Sequence, residues 1–185
     1  AIANQKGGAG KTTSTINLGY GLKHLGKTVM IVDLDPQSHL TYSLGIRPHE
    51  LRGTIYEVLK GKMLLSDVIQ DVKGVAVIPS TLDLSGADME LASIPGRERL
   101  LGDALEGYID DYDYVLIDCP PSLGLLTLNC FTTVKEICVT IQTEFLALQG
   151  LGKLIETVNV VKKRLNPDLD ISSIVGTRYD CRKNL

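Results

Sequence analysis

A glycine-rich stretch, Lys6 to Thr13, constrains this chain more than any other feature, and it reads Lys-Gly-Gly-Ala-Gly-Lys-Thr-Thr. Three glycines in four positions leave successive backbone N–H groups open to close approach by an anion. Lys11 adds a mobile cation, and Thr12 adds a hydroxyl suited to Mg²⁺. An ordinary strand-to-helix turn would account for the glycines, but not for two lysines and a Lys-Thr-Thr helix start. The stretch therefore predicts a phosphate-binding loop.

Length and composition fit one domain with an aliphatic core. The chain has 185 residues, of which 44% are hydrophobic. This is enough to bury one core and too little to require two. Only 5% of the residues are aromatic and none is Trp, which suits buried parallel strands between helices. We expect a single domain over residues 1–185, cut short at its N-terminus, because Ala1 to Asn4 resembles the end of a strand.

Several function classes are disfavoured by the same data. The four cysteines have no metal-ligand spacing and are expected to be reduced thiols in a cytoplasmic protein. A formal net charge of −3 gives no bulk attraction to nucleic acid, so DNA binding would need a local basic patch. No apolar run approaches the roughly 18 residues of a membrane span, and no signal peptide is visible. We therefore expect no contact with a membrane.

Predicted strands and helices alternate along the chain. Continuous apolar runs rich in β-branched residues are typical of buried parallel strands, and they occur at residues 28–34, 75–79, 113–117, 136–141 and 171–176. Helical periodicity or helix-compatible segments occur at residues 12–25, 54–60, 66–70, 86–92, 97–108, 125–134 and 147–165. In the first helix, the apolar face is expected to be Ile16, Leu18, Leu22 and Leu25. The alternation predicts an α/β fold, a doubly wound, mostly parallel sheet with helices on both faces.

Aspartates stand at the ends of two predicted strands. One strand leads into Asp33-Leu34-Asp35-Pro36-Gln37, and another leads into Asp118. Ligands bind at the carboxyl ends of strands in open α/β sheets. Carboxylates beside a phosphate site are suited to position Mg²⁺ or an attacking water. A helix cap or Asx turn before Pro36 would explain one aspartate but not the whole pentad. The pattern predicts a Mg²⁺-dependent ATPase site.

Four motifs together resemble the ParA/Soj partition ATPases, a branch of the deviant Walker A group of P-loop NTPases that also contains MinD. The loop departs from the standard Walker A pattern, because Gln5 replaces the first glycine and Lys6 follows it. The others are the pentad at 33–37, Asp-Cys-Pro-Pro-Ser at 118–122 and Gln-Thr-Glu at 142–144. The resemblance covers nearly the whole chain. It implies a P-loop NTPase fold with ATP and Mg²⁺ as ligands.

The resemblance implies a role for each loop residue. Lys11 would bind the β- and γ-phosphates, and Thr13 with the amides of Gly8 and Gly10 would hold phosphate oxygens. Lys6 is similar to the signature lysine that reaches the partner's nucleotide in an ATP-sandwich dimer, where a cation supplied in trans offsets developing charge. Gly7 would allow the two backbones to approach each other. Ala9 replaces the usual valine, a change that we expect to be tolerated.

The resemblance also implies a metal and water site. Thr12 would ligate Mg²⁺, and Asp118 would hold the ion through water. Asp35 would orient the attacking water beside the metal. The implied catalytic set is thus Asp35, Lys6 and Lys11, and the implied metal set is Thr12, Asp118 and Asp35. The resemblance assigns Asp33 no definite role.

Three basic residues late in the chain are similar to family residues that bind DNA. Arg182 matches a family arginine, and Arg178 and Lys183 are its neighbours. The implied protein is a homodimer on ATP binding, binds DNA without sequence preference and is stimulated by a ParB/Spo0J-like partner. Family members continue past Leu185 with further elements, so we expect several elements to be missing from the C-terminus.

The expected function is therefore chromosome or plasmid segregation by a slow, nucleoid-associated ATPase. One alternative is a MinD-like, membrane-associated regulator of the division site. Another is a nucleotide-dependent scaffold that does not hydrolyse ATP, which the intact Asp35 disfavours. An iron–sulfur reductase is disfavoured because Leu125 occupies a position where a cluster cysteine would be expected.

Overall fold

The structure is a computed structural model that describes residues 1–182, with side chains described at all of these positions except 145–149. Within these residues the chain forms one seven-stranded sheet. The strands are β1 (Ile2–Ala3), β2 (Val29–Asp33), β3 (Gln70–Val72), β4 (Val75–Ile78), β5 (Tyr114–Asp118), β6 (Glu136–Gln142) and β7 (Asp170–Thr177). Their spatial order is β3-β4-β2-β5-β1-β6-β7.

Six of these strands are parallel, and β3 alone pairs antiparallel, with β4. The parallel pairs place the carboxyl ends of β1, β2 and β5 at one edge of the sheet. The register of β2 against β5 pairs Asp33 with Asp118. This register brings the two aspartate-bearing strand ends predicted from the sequence side by side.

Eight α-helices connect or flank the strands in the described part of the chain. They are α1 (Lys11–His24), α2 (His39–Ser43), α3 (Ile55–Leu59), α4 (Leu65–Val68), α5 (Ala87–Glu90), α6 (Leu100–Leu105), α7 (Leu125–Thr133) and α8 (Phe145–Arg164). Single 3₁₀ turns lie at Pro48–Glu50, Leu82–Gly86, Arg97–Arg99 and Ile109–Asp111.

Helices cover both faces of the sheet, which confirms the predicted fold class. Successive residues of β2 alternate between two cores because side chains of a strand point to opposite faces. Val29 and Ile31 pack in the core beneath α1, while Met30 and Val32 pack in the larger core on the opposite face. All four are at most 2% exposed. A strand buried on both sides must be apolar throughout, as its sequence is.

Helix α1 packs closely on the sheet through Gly19. A Cβ at this position would lie 2.5 Å from Cδ1 of Ile31, so only glycine fits without a shift of the buried Ile31 side chain. Thr15 is also fully buried, whereas Leu18 and Leu25 are 43% and 74% exposed. The predicted apolar face of this helix was therefore wrong at Leu18 and Leu25, because backbone proximity rather than side-chain bulk sets its packing.

The other differences from the sequence prediction concern short elements. The helix predicted at 66–70 is α4, which ends at Val68, and Gln70 already belongs to β3. The helix predicted at 97–108 is a 3₁₀ turn followed by α6 and a further turn. Helix α2 and strand β3 were not predicted. No helix within residues 1–182 is both long and apolar enough to cross a membrane.

Candidate nucleotide-binding site

The predicted phosphate loop connects β1 to the N-terminus of α1. Gly8 and Gly10 adopt φ angles of 70° and 88°, in the left-handed region that favours glycine. Gly10 precedes the first helical residue, Lys11, and its carbonyl accepts a hydrogen bond from the N–H of Ser14 at 2.9 Å. The loop is thus held at the positive end of a 14-residue helix. Such an end favours an anion.

Hydrogen bonds from the neighbouring strands engage the loop through its carbonyl groups. Nε2 of Gln142 donates to the carbonyl of Gly8 at 2.8 Å, and Oγ1 of Thr177 donates to that of Ala9 at 2.9 Å. Among the described residues, none accepts a hydrogen bond from the N–H groups of residues 7–10. With its carbonyls tied to β6 and β7, the loop keeps its N–H groups for another acceptor.

A cavity of about 720 Å³ opens over this loop. This is within the range of small-molecule sites, roughly 300–1,000 Å³. Its lining includes the loop residues Gly7, Gly8, Ala9, Gly10, Lys11, Thr12, Thr13 and Ser14. The remaining lining residues come from other elements and are Asp35, Gln37, His39, Ser43, Pro121, Thr177 and Arg178. Seven of the predicted nucleotide-binding residues, 7–13, therefore share one cavity with Asp35.

Asp118 lies directly behind the loop. Oγ1 of Thr12 donates to its Oδ2 at 2.6 Å, and Oγ1 of Thr15 lies 3.4 Å from its Oδ1. The residue is 1% exposed. Burial raises the pKa of the Asp118 carboxyl to about 7; the Thr12 hydrogen bond and Lys11 oppose this rise, and Asp33 and Asp35 add to it. A buried carboxylate this costly to ionise is stabilised by a cation.

Asp33 and Asp35 occupy different environments although they are two residues apart. The carboxylate of Asp33 accepts hydrogen bonds from the N–H and the hydroxyl of Thr41, at 2.9 and 2.6 Å. Burial raises the pKa of Asp33 to about 6, against the hydrogen bonds, which lower it. Thr41 in turn accepts from the N–H of Ser80 at 3.0 Å. Asp33 thus ties α2 to β2 and the end of β4, which is a structural role.

Asp35 instead faces the cavity. Its Oδ1 accepts from the N–H of Gln37 at 3.0 Å, and its carbonyl accepts from Oγ of Ser80 at 2.9 Å. The residue is 7% exposed and lines the cavity with the loop. The hydrogen bond from Ser80 therefore holds the backbone of Asp35, and the one from Gln37 engages one of its carboxylate oxygens.

The oxygen donors beside the loop suit Mg²⁺. The described residues contain no cluster of three or more His, Cys, Asp or Glu side chains that could hold a metal ion. Mg²⁺ keeps several waters and is commonly held by one or two carboxylates together with substrate phosphates, so it needs no such cluster. The Thr12 hydroxyl and the buried carboxylate of Asp118 provide donors of the right kind.

Lys6 lies at the rim of the loop, and its backbone and side chain contact residues of the same subunit. Its N–H donates to Oδ1 of Asn4 at 2.8 Å, and its Nζ lies 3.2 Å from Oε2 of Glu144. The Lys6 and Glu144 side chains are 42% and 53% exposed. Lys6 is not among the residues that line the cavity. Its ammonium group therefore faces solvent beside the site rather than the site itself.

The three basic residues predicted to bind DNA do not form one described cluster. Arg178 lines the cavity over the phosphate loop. Arg182 is exposed and forms a two-pronged ion pair with Asp180, with both N···O distances at 2.9 Å. Lys183 lies outside the described residues.

The sequence interpretation missed the loop's support from distant strands. Thr177 and Arg178 border the loop, and Gln142 and Thr177 bond its carbonyls. The sequence did point to Gln142, because this residue belongs to the Gln-Thr-Glu motif at 142–144. Thr177 carried none, because its contact depends on the pairing of β7 with β6, between residues 34 or more positions apart.

Comparisons with known proteins match most of this chain. The family model described as AAA domain matches residues 1–171. Sporulation initiation inhibitor protein Soj of Bacillus subtilis is 45% identical over 100% of this chain and 74% of its own length. The chain spans 58% to 74% of the length of several curated relatives.

Solved structures match closely as well. Cobyrinic acid a,c-diamide synthase from Mycobacterium smegmatis, crystallised with ADP and magnesium, matches with a TM-score of 0.95 and 42% identity over 98% of this chain and 75% of that chain. A plasmid partition protein from Borrelia burgdorferi matches with a TM-score of 0.86 and 29% identity over 100% and 81%. By its motifs, its fold and these matches, the chain belongs to the ParA/Soj family of partition ATPases, in the deviant Walker A group of P-loop NTPases.

Proposed function

We propose that this chain binds Mg²⁺-ATP and hydrolyses it, and that ATP binding assembles a sandwich dimer that binds DNA for chromosome or plasmid partition. The observation that carries the proposal is the 2.6 Å contact between Thr12 and the buried carboxylate of Asp118, directly beneath a loop whose N–H groups have no described acceptor. This arrangement offers oxygen donors for a cation next to amide donors for an anion, as a metal–nucleotide complex requires.

The chain's own residues divide the chemistry between them. The loop amides, the α1 N-terminus and Lys11 would bind and neutralise the phosphates, which is the main demand of phosphoryl transfer. Asp35, which lines the same cavity, would orient the attacking water. Thr12 and Asp118 would hold Mg²⁺, which supplies charge neutralisation at the phosphate oxygens.

The assembly part of the proposal rests on Lys6 and on the relatives. Lys6 is exposed at the rim of its own site, so it is free to serve a neighbouring copy once it leaves Glu144. Soj and the Borrelia plasmid partition protein support a role in partition. By the same likeness, the dimer would bind DNA without sequence preference, associate with the nucleoid in the cytoplasm and respond to a ParB/Spo0J-like partner.

Two lysine variants test the proposal. Lys11→Ala is expected to abolish ATP binding measured by calorimetry with Mg²⁺. Lys6→Ala is expected to keep ATP binding but to lose ATP-dependent dimerisation measured by light scattering. Lys163→Ala, an exposed lysine near the end of α8, is the control that should change neither. Unchanged dimerisation of Lys6→Ala would contradict the sandwich, and ATP binding by Lys11→Ala would contradict the nucleotide site.

ATP-dependent amide formation is the second candidate, favoured by the match to the cobyrinic acid a,c-diamide synthase structure. Both candidates use the phosphate loop, so ATP binding alone does not separate them. ATP turnover with DNA and a centromere-binding protein should exceed turnover with cobyrinic acid and glutamine if partition is the function. The reverse order would favour the synthase.

A further inference from the structure

Arg178 stands out among the cavity residues because the chain holds its backbone in an unfavourable conformation. Its φ is +53°, one of three positive values among the non-glycine residues that the structure describes. Left-handed backbone is costly for a residue with a Cβ and persists where its surroundings enforce it. The carbonyl of Arg178 lies 3.4 Å from Oγ1 of Thr143, and the preceding Thr177 is bonded to the carbonyl of Ala9.

The guanidinium of Arg178 lies close to the phosphate loop. Nη2 of Arg178 lies 3.8 Å from the position that a Cβ at Gly8 would occupy. Arg178 therefore lines the cavity beside the loop amides, together with Lys11. A guanidinium presents five N–H donors in a planar fork that matches the oxygens of a phosphate.

The charges around the cavity leave Arg178 for a ligand. Lys6 is offset by Glu144, and Arg182 is offset by Asp180. Within residues 1–182, with the side chains at 145–149 set aside, Arg178 forms no ion pair. Two cations, Lys11 and Arg178, and one carboxylate, that of Asp35, thus border a cavity whose loop amides have no described acceptor. Such a site demands an anion with several oxygens.

We propose that Arg178 binds the phosphate chain of the nucleotide in its own subunit, rather than DNA. This inference rests on the proposed function, since it takes ATP as the ligand of the cavity. It gives the loop a cation on the β7 side in addition to Lys11. Arg178 would thus raise the affinity for ATP without belonging to the phosphate loop itself.

The test measures ATP affinity by calorimetry with Mg²⁺ in four proteins: wild type, Arg178→Met, Arg178→Lys and Arg164→Met. Arg178→Met is expected to weaken ATP binding about tenfold, as the loss of a charge-assisted hydrogen bond predicts. Arg178→Lys should fall between, because it keeps the charge and loses the fork. Arg164 is an exposed arginine at the far end of α8, where Lys162 pairs with Asp170 at the start of β7, so its variant should bind like wild type.

DNA binding at saturating ATP separates the two roles of Arg178. If the residue serves the nucleotide, excess ATP restores DNA binding of Arg178→Met to the wild-type level. Wild-type ATP affinity in a folded Arg178→Met, checked by circular dichroism, would overturn the inference, and so would weak DNA binding that excess ATP does not restore. Lack of ATP binding by wild type, or ATP binding by Lys11→Ala, would instead overturn the proposed function and this inference with it.

Discussion

Gly10 ties the conformation of the phosphate loop to its support by β7. Its φ of 88° is costly for a residue with a side chain, and a Cβ there would lie 3.0 Å from Cγ2 of Thr177. Gly10→Ala is therefore expected to lower the free energy of unfolding by about 1–2 kcal/mol. It should also weaken ATP binding, because Thr177 must move away from the loop that it supports. Urea unfolding and calorimetry measure the two effects.

Gly21→Ala is the matched control for this substitution. Gly21 lies inside α1, is exposed, and a Cβ there would meet nothing within 4 Å. The substitution is expected to stabilise the protein by roughly 0.5–1 kcal/mol, because alanine loses less backbone entropy in a helix. If both variants changed stability in the same direction, the loop conformation of Gly10 would not be the cause.

The buried carboxyl of Asp118 gives stability a specific pH dependence. Its pKa rises from the ordinary 3.8 to about 7 in the folded state. A raised pKa contributes stability that is fully present below pH 3.8 and is lost as the pH rises through about 7. Asp118→Asn does not titrate, so its stability should exceed that of wild type at pH 8, by about 4 kcal/mol or roughly 8–16 °C, and approach it at pH 4.

Mg²⁺-ATP provides the second measurement on Asp118. Added Mg²⁺-ATP should raise the thermal midpoint of wild type, since a ligand of the folded state stabilises it, and should raise that of Asp118→Asn much less. Thermal unfolding between pH 4 and 8, with and without Mg²⁺-ATP, gives both results. Parallel pH profiles for the two proteins would contradict the burial of an ionisable group at this position.

The two aspartates of the pentad show what a sequence does and does not predict about a site. Both follow the same apolar strand, so the sequence places both near the ligand. Only the structure distinguishes their roles: Thr41 donates hydrogen bonds to the carboxylate of Asp33, whereas Asp35 lines the cavity. The partner of Asp33 comes from α2, which is five residues long and was not predicted. A role set by such a contact is not readable from residue types.

At the scale of elements, the long apolar strands and the helix after the phosphate loop were predicted to within a few residues. Their signals are strong because a strand buried on both faces is apolar throughout. Strand β3, with the sequence Gln-Asp-Val, is three residues long and only partly buried. It exists because β4 offers it an antiparallel edge. The formation of β3 is therefore determined by its pairing with β4 rather than by its local sequence.

The loop between β6 and α8 is expected to regulate assembly through Glu144. Its carboxylate holds Lys6 within the same chain at 3.2 Å. Exposed ion pairs contribute little to stability, so Glu144→Gln should leave the thermal midpoint unchanged. It should release Lys6 and lower the concentration needed for the proposed ATP-dependent dimerisation roughly two- to fivefold. Light scattering across a range of protein concentrations, with ATP and Mg²⁺, measures this shift.

Glu156→Gln is the control for the charge change. Glu156 is exposed on α8, and the substitution alters the net charge of the chain by the same amount. An equal shift in both variants would mean that overall charge controls dimerisation, and that the pairing of Lys6 with Glu144 does not.

For the whole molecule, the sheet ends in a strand that pairs with β6 on one edge and has no strand on its other edge within residues 1–182. β7 is last in the strand order, and its Ile174 and Val175 are 57% and 40% exposed. Val175 also lines a groove of about 680 Å³ with Leu18, Leu22 and Cys138. Unpaired apolar edge strands are templates for association between chains. Lys6 is not among the residues that line this groove, so association through this surface is expected not to require ATP.

Ile174→Lys is therefore expected to suppress association of the 185-residue chain without nucleotide, because a charge on an edge strand opposes pairing. ATP binding should remain unchanged. Val160→Lys is the control, since Val160 is 55% exposed on α8 and not on a strand edge. Sedimentation velocity without nucleotide should show reduced association for Ile174→Lys alone. A similar loss in both variants would mean that general charge repulsion, rather than the edge of β7, controls the nucleotide-independent association.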